Sequence, residues 1–129
     1  MNSEQHQLVC RGIRGATRVT ANTRKDILVA TKELLEKMVH ANGVETERLT
    51  GVFFTTTSDL NAEFPAVAAR QLGWTRIPLL CGHEMSVPGS MSLVIRVMML
   101  YNTERSQEEI VHVYLGEARS LRPELEPLQ

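Results

Sequence analysis

Excess charge of either sign is missing from this chain, since 14 Lys and Arg stand against 15 Asp and Glu for a formal net charge of -1. So balanced a chain exerts no general pull on nucleic acid or on an anionic membrane, and any anion it binds must be held by a local group of arginines. No apolar run has the length of a membrane span, and the opening MNSEQHQLV has neither the basic nor the apolar part of a secretory leader. The expected location is therefore cytoplasmic. Cysteine is scarce too: Cys10 and Cys81 form no C-x-x-C and no zinc spacing, and they read as free thiols in a reducing compartment.

The familiar motifs of covalent, nucleotide and metal chemistry are also missing. There is no G-x-S-x-G, no P-loop and no G-x-G-x-x-G between a strand and a helix. The tripeptide GHE at 82–84 resembles the start of a zinc-protease helix, but no histidine follows four residues after His83. His6, His40 and His112 have no ligand spacing either, so no metal site is expected. Repeats, low-complexity tracts and long linkers are lacking as well. The 129 residues are expected to form one domain spanning 1–129, large enough to bury roughly two-thirds of its unfolded surface. Residues 1–7 read as a frayed N-terminal extension and residues 116–129 as a tail without strong periodicity.

What is present alternates strands with helices. Residues 8–17 read as a first strand. Thr23 then opens a helix, with Asp26 three residues on, and Gly43 in ANG closes it. Ile27, Ala30, Leu34 and Met38, with Leu35 and Val39 beside them, form its apolar stripe, while Lys32, Glu33, Glu36 and Lys37 face away. GVFFTTT at 51–57 is a second strand. FPAVAARQLG is a shorter helix, entered at Pro65 and left at Gly73. Residues 76–82 are a third strand, in which Pro78 demands an edge or an unpaired position. MSVPGS is loop, residues 93–101 a fourth strand and IVHVYL at 110–115 a fifth, with a capping box from Ser106 to Glu109 between them.

The fourth strand says most about architecture. Leu93, Ile95, Val97 and Met99 share one face and Val94, Met98 and Leu100 the other, so both faces ask for cover. Two helices cover one face only. The second face needs another copy of the chain, or a tail folded back over it. Arg96 interrupts this apolar run, and an unpaired guanidinium there costs several kcal/mol or more in desolvation. It needs an anion, either one of the chain's own carboxylates or a ligand. Arg14 and Arg70 also fall within regular elements, and several inward arginines suit a small, multiply charged anion.

RGIRGA, at 11–16, poses a question of its own, because two glycines weaken a strand and two arginines are costly inside one. Side chains alternate along a strand, so Arg11 and Arg14 must point to opposite faces. His112 and Tyr114 share one face of the fifth strand, where packing suffices for the histidine and the tyrosine hydroxyl has reach for a ligand. Cys81 reads as a small buried residue and Glu84 as a turn residue, unless a site recruits them.

Taken in order, RGIRGAT, FPAVAARQLGW, PLLCGHEM, IRVMMLYNT, VHVYL and LRPEL resemble the monofunctional chorismate mutases of the AroH class, collinearly over residues 11–125. The resemblance implies an α+β fold, a mixed β-sheet with helices packed on one face, assembled as a homotrimeric pseudo-α/β-barrel with active sites between subunits. It implies the concerted [3,3] rearrangement of chorismate to prephenate, on the way to phenylalanine and tyrosine, without cofactor or covalent intermediate. By resemblance, Arg14 contacts a substrate carboxylate, with Tyr114 in support. Arg96 is the cation at the ether oxygen, and Glu84 accepts from the ring hydroxyl with Cys81 beside it. Phe64 and Arg70 come from a neighbouring chain, and Leu121 and Arg122 belong to a tail that closes over the site. Arg11 is left to structural or surface work, while Gly12 and Ala16 leave room for the ligand beside Arg14.

The chain departs from the family pattern at Val67, where some relatives carry lysine, and at Leu80, where relatives carry threonine. The segment between Arg70 and Trp74 is one residue shorter than in some members. Two other functions fit the composition, a trimeric imine deaminase that holds a carboxylate with arginine and a trimeric sensor of a small dicarboxylate.

Overall fold

The computed structural model describes residues 7–121. Strand β1 (Val9–Arg18) leads into helix α1 (Arg24–Asn42), followed by β2 (Leu49–Thr56), α2 (Ala66–Gln71), β3 (Leu79–His83), β4 (Val94–Thr103) and the two-residue β5 (Val113–Tyr114). Single 3-10 turns at Thr46–Arg48 and Gln107–Glu109 fill two of the connections, and a six-residue 3-10 helix, Gly116–Leu121, follows β5. The five strands form one sheet in the order β3-β2-β4-β1-β5. The sheet is mixed: β4 runs antiparallel to both its neighbours, whereas β3 and β5 lie parallel to β2 and β1 at the two edges.

The caps of α1 follow from its ends. Thr23, extended at φ -130°, accepts the Asp26 N–H at 3.0 Å, and Gly43 closes the helix in the left-handed region at φ 57°. Its buried stripe is Ile27, Leu28, Thr31, Leu34, Leu35, Met38 and Asn42. Ala30 and Val39 are only half-buried. Two polar residues thus replace them: Thr31 donates to the Ile27 carbonyl at 2.7 Å, and Asn42 bonds both backbone groups of Val111, at 2.8 and 2.9 Å. Their hydrogen bonds make burial of these polar groups tolerable. Gly15 explains how close the helix comes, because a Cβ there would lie 2.5 Å from Met38 Sδ and 3.1 Å from Leu34 Cδ1.

Every strand boundary shifts from the sequence reading, β1 and β2 by one or two residues, and three of the shifts have a visible cause. β3 starts at Leu79, so Pro78 precedes the strand; lacking an N–H, it enters the sheet only through its carbonyl, which accepts from Val52 at 3.0 Å. β5 shrinks from six residues to two, because the backbone of Val111 is occupied by Asn42 and not by a strand. β4 begins one residue after Leu93, whose φ of 59° takes it out of the strand. The Asp59 carboxylate holds that residue, accepting the Leu93 N–H at 3.1 and 3.2 Å.

The core lies on one side of the sheet. Ile13, Val52, Phe54, Ile95, Val97, Met99 and Tyr101 are buried there with Leu34, Leu35 and Met38 of α1. On the opposite side, Arg14, Arg96, Met98 and Leu100 are half-buried and Phe53 and Leu80 are exposed. The tail turn Gly116–Leu121 packs on β1 with Ala118 buried, so it covers one end of this open face and leaves the rest uncovered. Among the described residues, no helix is long and apolar enough to cross a membrane.

Candidate active site

Register places the charged groups of the open face. Thr55 of β2, Arg96 of β4, Ala16 of β1 and Tyr114 of β5 lie on one row across four strands. The next row is Phe53, Met98 and Arg14. Because the pleat sends alternate side chains to one face, both rows present their side chains to the same side. Glu84, just past the end of β3, is tied in place by its N–H, which donates to the Thr56 carbonyl at 2.7 Å.

These residues enclose one cavity of about 310 Å³, with Arg14, Phe53, Thr55, Glu84, Arg96, Met98 and Tyr114 in its walls. Arg96 Nε lies 3.4 Å from Glu84 Oε2, and the Thr55 hydroxyl donates to the same oxygen. Two cations and one carboxylate leave the cavity with one net positive charge, which favours an anionic occupant. The Arg14 guanidinium has no side-chain partner among the described residues, while its backbone N–H donates to His112 Nδ1 at 3.0 Å. This bond needs the Nδ1 lone pair and so the Nε2–H tautomer of His112.

Arg11 points elsewhere. It donates through Nε to the Arg105 carbonyl at 3.0 Å and borders a separate hollow with Gln107, Ile110 and His112 on the helix side. The parity of β1 therefore separates the two arginines as expected. Ala16 does not leave empty room: it is fully buried, with Arg96 and Tyr114 as its register partners on the two neighbouring strands. Gly12 is exposed, with a Cβ there meeting Met98 Sδ at 3.2 Å.

Not every residue of the sequence reading meets in this cavity. Cys81 pairs with Phe54, so its side chain turns to the core side, opposite Glu84, and packs against the core. It lines a second cavity of about 310 Å³ with Phe64, His83 and Glu63. Burial pushes the Cys81 thiol above its usual range, against smaller opposing effects of the Ala66 N–H and the Arg70 charge. Phe64 is 66% exposed beside it. The Glu63 carboxyl is held below its usual range by the Phe64 N–H first and by Arg24 second, at 2.9 and 2.7 Å. Arg70 is exposed next to Trp74 and Leu79. Leu121 ends the tail turn half-exposed, and Arg122 lies outside the described residues.

Thr55 and Phe53 were not singled out by the sequence, and Met98 was read only as part of a face in need of cover. A signal existed in GVFFTTT, where Phe53 and Thr55 alternate onto one face. Which face, and opposite which arginine, depends on pairing with β4, a strand about 40 residues away.

The comparisons with known proteins agree with one another. The profile of the family described as "Chorismate mutase type I" matches residues 10–125. A protein of Thermus thermophilus named "Chorismate mutase AroH" is 53% identical over 120 residues, covering 92% of this chain and 98% of the relative. One of the same name from Bacillus subtilis is 44% identical over 119 residues, covering 92% and 94%. Among solved structures, a chorismate mutase from Clostridium thermocellum superposes with a TM-score of 0.83 at 47% identity, over 84% of this chain and 97% of its own.

Proposed function

The chain belongs to the chorismate mutase type I family, and on that premise we propose that its open-face cavity is where chorismate rearranges to prephenate. The protein is a chorismate mutase, an isomerase of aromatic amino acid biosynthesis. The observation that best supports the choice of site is the meeting of Arg14, Arg96 and Glu84 around one cavity on a sheet face that the helices leave bare.

The reaction is a concerted [3,3] shift: the ether C–O bond breaks as a C–C bond forms, with no proton transferred. A protein accelerates it by holding a flexible dicarboxylate in its reactive chair-like form and by meeting the charge that develops as the ether opens. Arg14 takes a substrate carboxylate, with Tyr114 beside it. Arg96 donates to the ether oxygen, where negative charge grows, an interaction worth roughly 3 to 4 kcal/mol in comparable preorganised sites. Glu84 accepts the ring hydroxyl through the oxygen not engaged by Arg96.

A single chain supplies only part of this site. Cys81, Phe64 and Arg70 lie outside the cavity of their own chain, and Phe53, Leu80, Met98 and Leu100 leave an apolar surface open beside it. Closing a ring of three chains over that surface brings Phe64, Arg70 and Cys81 from a neighbour, with Leu121 and Arg122 of the tail at the mouth. Sedimentation at micromolar concentration tests this, and a monomer would remove the intersubunit site.

The direct test follows chorismate disappearance with purified protein and no added cofactor, for wild type and Arg96→Ala. A wild type no faster than buffer would end the mutase reading. Binding without conversion would favour a sensor, and ammonia release from an imino acid a deaminase.

A further inference from the structure

The cavity holds one hydroxyl to which the family resemblance gave no role, that of Thr55. We propose that Thr55 is a positioning residue for Glu84, which keeps the carboxylate from closing fully on Arg96. This inference rests on the reading of Glu84 and Arg96 given above.

Arg96 by itself fixes Glu84 poorly. A charge-assisted N–H to O bond settles at about 2.7 to 2.9 Å, and the observed 3.4 Å from Nε to Oε2 is well beyond that. Thr55 donates to the same Oε2, so one carboxylate oxygen serves both partners. Oε1 has no partner among the described residues and is left to accept from a ligand. The hydroxyl itself is well fixed. Threonine is stiff at χ1, β2 is an inner strand flanked by β3 and β4, and Thr55 is the register partner of Arg96.

Without that hydroxyl, no other side-chain hydrogen bond among the described residues holds the Glu84 carboxylate away from a bidentate pairing with Arg96. Such a pair would neutralise the cation before the ether oxygen needs it. The loss would fall on an interaction made only in the transition state, and would therefore appear in kcat more than in KM. A threonine chosen only as a β-branched strand former gives the opposite expectation, since valine of the same shape would replace it freely.

The experiment compares Thr55→Val and Thr55→Ser in the wild-type and Glu84→Gln backgrounds, by chorismate turnover, with thermal unfolding to confirm that each variant folds. Thr55→Val should lower kcat about tenfold, the scale of one hydrogen bond to a charged group, with KM changed by less than about twofold. Thr55→Ser, which keeps the hydroxyl, should recover most of it. In Glu84→Gln, Thr55→Val should add little, because its effect passes through the carboxylate. An unchanged kcat in a folded Thr55→Val, or the same tenfold loss with and without Glu84, would overturn the role of Thr55 alone. Full activity in Glu84→Gln itself would overturn the underlying site reading, a distinct signature.

Discussion

Arg96 and Glu84 meet across the uncovered face of the sheet, Nε to Oε2 at 3.4 Å, with the arginine side chain 41% exposed. An arginine in an apolar strand asks for an anion, and here the chain supplies one that only partly satisfies it. The pair is too exposed to act as a major stabilising contact. Its residual positive charge faces a cavity that also holds Arg14.

Arg96→Ala should therefore leave stability nearly unchanged and remove about 3 to 4 kcal/mol of transition-state stabilisation, roughly a hundred- to thousandfold in kcat. Steady-state turnover of chorismate, beside a urea titration of the same sample, checks both halves. A large fall in stability with normal turnover would make the pair structural.

Arg14 and Arg11 should respond unequally. Arg14→Ala is expected to cripple turnover, since its guanidinium lines the cavity. Arg11→Ala removes one hydrogen bond to the Arg105 carbonyl and should cost about 1 kcal/mol of stability with turnover intact. Equal catalytic losses in the two variants would mean that β1 does not present them to opposite faces.

Gly15→Ala should destabilise by about 1 to 3 kcal/mol, because the new methyl overpacks a core where Met38 and Leu34 are fully buried. Denaturant unfolding measures this. Combination with Met38→Ala should be less damaging than the sum of the two changes, since the obstructing sulfur is gone.

Cys10 should be alkylated before Cys81. Cys10 is exposed, whereas Cys81 is half-buried and its thiol is shifted upward by burial. Thiolate is the reactive form, so iodoacetamide at about pH 8 should label Cys10 first, as peptide mass spectrometry would show. The raised folded value also sets the sign for stability. The contribution of the protonated Cys81 thiol is complete below the unfolded-state pKa and is lost as pH rises through it toward the folded value. Faster labelling of Cys81 would contradict this placement.

Much of the fold was legible because it rests on local chemistry. The Thr23 and Gly43 caps of α1, the capping box from Ser106 to Glu109, and Pro78 beside an edge strand each depend on a few neighbouring residues. The misjudged details depend on distant partners. β5 is short because Asn42, far away in the chain, takes the Val111 backbone, and Thr31 and Asn42 are buried because their hydrogen bonds are made inside.

The candidate site divides in the same way. Periodicity alone put Arg11 and Arg14 on opposite faces and marked Arg96 as a charge in need of an anion, because strand alternation and the cost of burying a guanidinium do not depend on the rest of the fold. Which anion, and which neighbours, followed from strand order and register. Those aligned Thr55, Arg96, Ala16 and Tyr114 in one row, brought Glu84 to Arg96, and turned Cys81 to the other side. Register joins strands far apart in sequence, and a shift of one residue would exchange the two faces. Local pattern identifies the residues of such a site; only the folded sheet determines which of them meet.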